Sequence, residues 1–156
     1  MFKNLLAAVD GSECSDAALE TAIALASCEN ARLTLCTVAD PSQILGEHTE
    51  PNVPFDSWAE RLGAIAAEIN ARSRAVASER GVACERVILP FAPAAKALVD
   101  YAEHYGIDCI VMGTHGRSGL ARALGGSVAQ AVVARARCAV VMVRAPKDVP
   151  APAPSP

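Results

Sequence analysis

Long hydrophobic runs are missing from this chain. No apolar stretch in its 156 residues approaches the roughly 20 that a membrane-spanning helix needs, so no membrane span is expected. A secretory leader is not expected either. "MFKNLLAAVDGS" holds a short apolar run, but Asp10 interrupts it and the layout of a signal peptide does not follow. Positive charge is not in excess: 14 Lys and Arg face 17 Asp and Glu with no basic cluster, which argues against a nucleic-acid surface. The six cysteines (Cys14, Cys28, Cys36, Cys84, Cys109 and Cys138) include no C-x-x-C pair, and so offer neither a zinc knuckle nor a thioredoxin-type motif. Most of them sit among apolar strand residues, where a reduced thiol behaves as a small hydrophobe. A reducing, cytoplasmic location is the expectation.

Two familiar nucleotide signatures are absent as well. G-x-x-x-x-G-K-[ST] appears nowhere, and neither does G-x-G-x-x-G after an early strand, which removes a P-loop and a dinucleotide fingerprint. The H-x-G-H and S-G-G-x-D-S strings of adenylyl-transferring enzymes do not occur either. With no P-loop lysine and no general base placed beside a phosphate, dedicated catalysis is not indicated.

What is present is a strict alternation. Five apolar runs, "NLLAAV", "RLTLCTV", "CERVILP", "CIVM" and "CAVVMVR", are separated by stretches with helical periodicity. Leu19, Ala22, Ile23 and Ala26 repeat on one helical face after the first run. Leu62, Ile65, Ile69 and Val76 mark a long helix opened by "SWAE", a capping-box pattern at Ser57 and Glu60. Leu98, Tyr101, Ala102 and Tyr105 line a third helix starting near Pro93, and Val128, Ala131, Val132 and Arg135 a fourth. Such alternation predicts an α/β domain over residues 1–145: a single open five-stranded parallel sheet in the flavodoxin-like, Rossmann-like order 3-2-1-4-5, with helices on both faces. Residues 146–156 hold five of the ten prolines and read as a disordered tail.

In that order the first and fourth strands are neighbours and the chain switches direction between them. Ligands bind at such a point, outside the carboxyl ends of the strands. The loops there are "VDGS" and "GTHGRSG". The second opens the stretch "GTHGRSGLARALGGS", Gly113 to Ser127, with five of the ten glycines. A glycine-rich turn between strand and helix lets backbone amides surround an anion, and Arg117 and Arg122 favour one here. "SVAQ" at Ser127 is also a capping-box pattern, and "DGS" is also ordinary turn chemistry with Ser12 capping a helix. His115 reads as a solvated loop histidine, and Cys14 as a small residue in a first helical turn.

The spacing G-x-x-G followed by x9-G-S resembles the nucleotide-binding branch of the universal stress protein family. "AAVDGS", "LTLCTVADP" and "IVMGTHGRSGLARALGGSVAQAVV" carry the resemblance, which covers residues 2–144. It implies an ATP-binding stress-response protein, with Mg²⁺ carried in by the nucleotide. Gly113, Gly116, Gly126, Ser127 and Val128 would hold phosphates and ribose; from its charge and place in the loop, Arg117 is expected to join them. Asp10 would contact the nucleoside, Val38 would offer backbone to the adenine edge, and Ala8 falls where the family often has proline beside the base. Where the family often has glycine, an acidic residue and proline before the third helix, this chain reads Ala92, Pro93, Ala94. A homodimer through the uncharged fifth strand is expected, since an apolar sheet edge needs covering. The alternatives are a nucleotide-free interaction module acting through that dimer surface and a slow ATP-hydrolysing enzyme.

Overall fold

The computed structural model describes residues 1–40, 55–90, 92–115 and 127–145. Its elements run β1 (Asn4–Ala8), α1 (Glu13–Glu29), β2 (Arg32–Val38), α2 (Phe55–Glu79), β3 (Cys84–Leu89), α3 (Ala94–His104), β4 (Cys109–Gly113), α4 (Ser127–Arg135) and β5 (Ala139–Val143). All strand pairs are parallel and the order is β3-β2-β1-β4-β5, as the alternation requires. The tail at 146–156 lies outside the described residues.

The central strands are apolar along most of their length because both their faces are covered, with Thr34 and Thr37 of β2 as buried exceptions. Leu5, Ala7, Leu33, Leu35, Cys109 and Val111 face one core with Ala18, Ala22 and Ala26 of α1. Leu6, Cys36, Val38, Ile110 and Met112 face the other, against Leu98 and Ala102 of α3 and Val132 of α4. Alternation along each strand therefore sorts neighbouring apolar residues into two separate cores.

Helix α1 buries Leu19, Ala22, Ile23 and Ala26, the stripe read from its sequence. The other helices depart in detail. Helix α2 already includes Phe55, so Ser57 lies inside its first turn rather than ahead of it. The most buried line of α2 is Leu62, Ala66, Asn70, Ser73 and Ala77, while Ile65, Ile69 and Val76 are half-buried. Close approach of α2 to the sheet selects small side chains along its centre and leaves the large apolar ones on the flank, where Ile69 and Val76 pack against the α1-side core. Asn70 is fully buried there, its Nδ2 within 3.1 Å of the Leu35 carbonyl oxygen and of Thr37 Oγ1. In α3, Leu98 and Ala102 are buried as expected, but Tyr105 is the C-terminal cap and exposed. In α4, Val132 is buried, Val128 and Ala131 are half-buried, and the terminal Arg135 is exposed.

Candidate functional site

β1 ends at Ala8, and the chain turns at once through Val9, Asp10, Gly11 and Ser12 into α1. Gly11 has φ +80, a left-handed conformation that favours glycine. Ser12 is the N-cap: its Oγ accepts from the Ser15 amide at 3.2 Å. Asp10 is bound into the same turn. Its Oδ1 accepts from the Ser12 amide at 2.9 Å and from the Ser12 hydroxyl at 2.6 Å, while its own amide donates to the Oγ of buried Ser15 at 3.0 Å. Both contacts to the Asp10 side chain fall on Oδ1, leaving Oδ2 without a partner among the described residues.

β4 is the neighbour of β1, paired through Ala7 and Val111, and it delivers Gly113, Thr114 and His115 beside that turn. Ser12 Oγ lies 3.4 Å from the His115 carbonyl oxygen, a direct link between the two loops. Gly113 has a packing reason to lack a side chain. A Cβ there would stand 2.8 Å from Cys14 Cβ and 2.9 Å from its carbonyl carbon, so α1 could not approach β4. The Cys14 thiol also accepts from the Ala145 amide at 3.4 Å, which ties the chain after β5 to the same helical turn. His115 is half-buried, with Nδ1 3.0 Å from the Oγ1 of buried Thr114.

β2 supplies the third wall. Pairing of β1 with β2 ends at Ala8 and Cys36, with a last bond from the Val9 amide to the Cys36 carbonyl. On the far side, the Ala39 amide donates to the Leu89 carbonyl of β3. Successive residues of a strand address opposite neighbours, so Val38 turns both its N–H and its C=O toward the β1 side, just past the point where β1 has left the sheet. A donor and an acceptor thus stand side by side at the carboxyl end of β2, beside the turn that follows β1. Cys36 beneath them is inert: burial pushes its thiol up to about 12.

Of the residues singled out from the sequence, Ala8, Asp10, Val38 and Gly113 gather at the carboxyl ends of β1, β2 and β4. Ser127 is exposed and Val128 half-buried in the first turn of α4. Gly116, Arg117, Arg122 and Gly126 lie outside the described residues. Sequence reasoning missed Ser15, which holds the Asp10 amide, and Asp40, a buried carboxylate whose Oδ2 accepts from the Ala94 amide at 3.0 Å. For Ser15 the signal was local, a serine three residues past a capping serine. For Asp40 no local signal existed, because its partner is 54 residues away.

Residues 1–144 match the model of the universal stress protein family. A universal stress protein of Methanocaldococcus jannaschii is 35% identical over 147 residues, covering 94% of this chain and 85% of that protein. Among solved structures, a universal stress protein from Lactobacillus plantarum is 28% identical with a TM-score of 0.75, covering 92% of this chain and 98% of the other. A universal stress protein in complex with cAMP is 24% identical, TM-score 0.70, over 93% of this chain and 99% of the other. One from Arabidopsis thaliana with AMP bound is 17% identical, TM-score 0.68, over 94% of both. The sheet order and the match along nearly the whole sequence agree: the chain belongs to the universal stress protein family.

Proposed function

We propose that this chain binds an adenine nucleotide, ATP in the first instance, as a regulatory ligand in the crevice outside β1, β2 and β4. It would do so in the cytoplasm and as a homodimer paired through β5. The observation that carries the reading is the backbone pair of Val38. An adenine offers an acceptor at N1 beside a donor at N6, and an N–H and C=O from one strand residue complement both. Asp10 Oδ2 suits the ribose hydroxyls, which are donors. Gly113, Gly116, Gly126, Ser127 and Val128, with Arg117, would take the phosphates, with amides at the N-terminus of α4 favoured by the helix dipole. Ala8 would lie beside the base. The neighbours solved with cAMP and AMP are consistent with an adenine ligand on this fold. Mg²⁺ would arrive on the phosphates; among the described residues, no group of three or more His, Cys, Asp or Glu is placed to cage it.

Two measurements test this. The purified protein is denatured and its supernatant run on an ion-exchange column, where a bound adenine nucleotide is expected. Calorimetry with ATP, ADP and AMP at millimolar concentration should give heat for at least ATP; silence for all three ends the reading. Gly126→Val is expected to abolish nucleotide retention with near-native circular dichroism, and unchanged affinity in that variant would move the phosphate site elsewhere.

A further inference from the structure

We propose that Asp40 is the positioning residue that makes this site select adenine over guanine. The inference rests on the nucleotide reading above and names a determinant of its specificity.

Helix α3 begins without a cap of its own. Its N-cap residue is Pro93, which has no side-chain oxygen, and no side chain of the cap position bonds the helix. The Ala94 amide, at the first helical position, is satisfied instead by Asp40 Oδ2 at 3.0 Å. Asp40 is 6% exposed and lies two residues past the end of β2, so a buried carboxylate from one loop caps a helix from another. The helix dipole favours a negative group at that end, which gives the contact more weight than a neutral cap would have.

The consequence for the site is geometric. Val38 is the last residue of β2 and has lost β1 as a neighbour, so a strand end in its position is prone to fray. Three contacts prevent that. The Ala39 amide bonds the Leu89 carbonyl at 2.9 Å, Ala39 packs with Leu62 and Ala66 of α2, and Asp40 is fastened to the start of α3. The outermost of the three is the Asp40 carboxylate. Together they hold the Val38 N–H and C=O in one orientation.

That orientation is what tells two purines apart. Guanine presents a donor at N1 and an acceptor at O6, the reverse of adenine. Against a rigid N–H and C=O pair it sets like groups face to face, and buried polar groups go unpaired. A pair free to rotate would lose the distinction. The selectivity therefore requires the backbone to be fixed, and Asp40 is the fixing point.

The experiment uses the full chain, with calorimetry against ATP, GTP and inorganic tripolyphosphate. Asp40→Ala is expected to lower ATP affinity about tenfold and bring the ATP-over-GTP preference close to one, the size expected for an unmade hydrogen bond. Tripolyphosphate binding should not change, because the phosphate end is untouched. Asp40→Asn keeps an acceptor oxygen and should recover most of the preference. Ala94→Pro replaces the amide hydrogen by the ring Cδ, which needs the space that Asp40 Oδ2 now fills, so at this first helical position, where proline is tolerated, it detaches the carboxylate from α3 and should behave as Asp40→Ala does. This variant, with Asp40→Asn, keeps the proposal testable should Asp40→Ala not fold. A folded Ala94→Pro protein with the wild-type ATP-over-GTP ratio overturns the inference while leaving nucleotide binding intact. Equal affinity of the wild type for ATP and GTP overturns it as well. A wild type that binds no nucleotide overturns the nucleotide reading and this inference with it.

Discussion

Asp10 and Ser12 share one carboxylate oxygen: both the amide and the hydroxyl of Ser12 are held by Asp10 Oδ1, at 2.9 and 2.6 Å. The Ser12 oxygen then accepts from Ser15 and caps α1. Turn, cap and candidate ribose contact are therefore a single hydrogen-bonded unit, and a change at either residue is felt at the other.

The two functions of that unit are separable. Ser12→Ala removes the cap and one of the Asp10 contacts, and should cost about 1 kcal/mol in a urea melt. Asp10→Asn keeps an acceptor for the Ser12 amide, so stability should move by less than that. Its loss of charge falls on Oδ2, which has no partner among the described residues, and ATP affinity should drop by about tenfold in calorimetry. Equal effects of Asp10→Asn on stability and binding would mean that the residue serves the turn alone.

Gly113 makes a sharper test of packing. Adding a methyl group places carbon 2.8–2.9 Å from Cys14 Cβ and carbonyl carbon, which are close to backbone and cannot swing away. Gly113→Ala is expected to lose about 1–3 kcal/mol, read as a lower denaturant midpoint. Cys14→Ala keeps the Cβ and should not rescue it, so the double variant is expected to be no more stable than Gly113→Ala alone.

These cases show what was legible in the sequence. Strand order and both cores followed from the apolar runs, because a strand buried on two faces is apolar along most of its length, as Leu5, Leu6 and Ala7 are. The α1 stripe was legible for the same reason, since a helix on the centre of the sheet buries one simple face. The α2 stripe was not: Asn70 and Ser73 occupy its most buried line. Periodicity counts apolar residues and is blind to a small or hydrogen-bonded polar one. Convergence of the loops after β1 and β4 was legible through topology, and the Ser12 to His115 contact bears it out. The Asp40 cap was illegible because nothing in the neighbourhood of either partner hints at the other.

Burial sorts the thiols into reactive and inert. Cys28 is exposed on α1 and should label within minutes with a disulfide reagent at pH 8. Cys36 and Cys109 are buried, and desolvation pushes them to about 12 and about 11. Both should stay unlabelled until the protein is unfolded. The same burial gives an alkaline sensitivity. A thiol raised above 9.0 in the folded state stays protonated while the unfolded chain ionises, so the unfolded chain holds fewer protons and stability falls as pH rises. For Cys36 the contribution is whole below pH 9 and is lost between 9 and about 12. Stability falls there by up to ~1.4 kcal/mol for each step of one in pH. Cys36→Ala should flatten that slope in thermal melts taken from pH 8 to 10.5. A slope unchanged by the substitution would assign it to other groups.

The two edges of the sheet are built differently. β3 carries Glu85 and Arg86, both exposed, which protect an edge from pairing. β5 reads Ala-Val-Val-Met-Val, uncharged from Ala139 to Val143, and four of these five residues are half-buried. An unprotected edge invites a second strand, and a two-fold partner offering its own β5 satisfies both edges at once. The expected result is a dimer by light scattering at micromolar concentration. Val141→Lys should convert it to monomers or to aggregates. Because Val141 also packs against the α1-side core, Ala139→Lys serves as the companion variant, at an exposed position where a charge spares the interior. Monomers that keep native circular dichroism would place the interface at β5. A wild type that stays monomeric at high micromolar concentration would mean that another part of the same chain covers the edge, and the dimer would have to be given up.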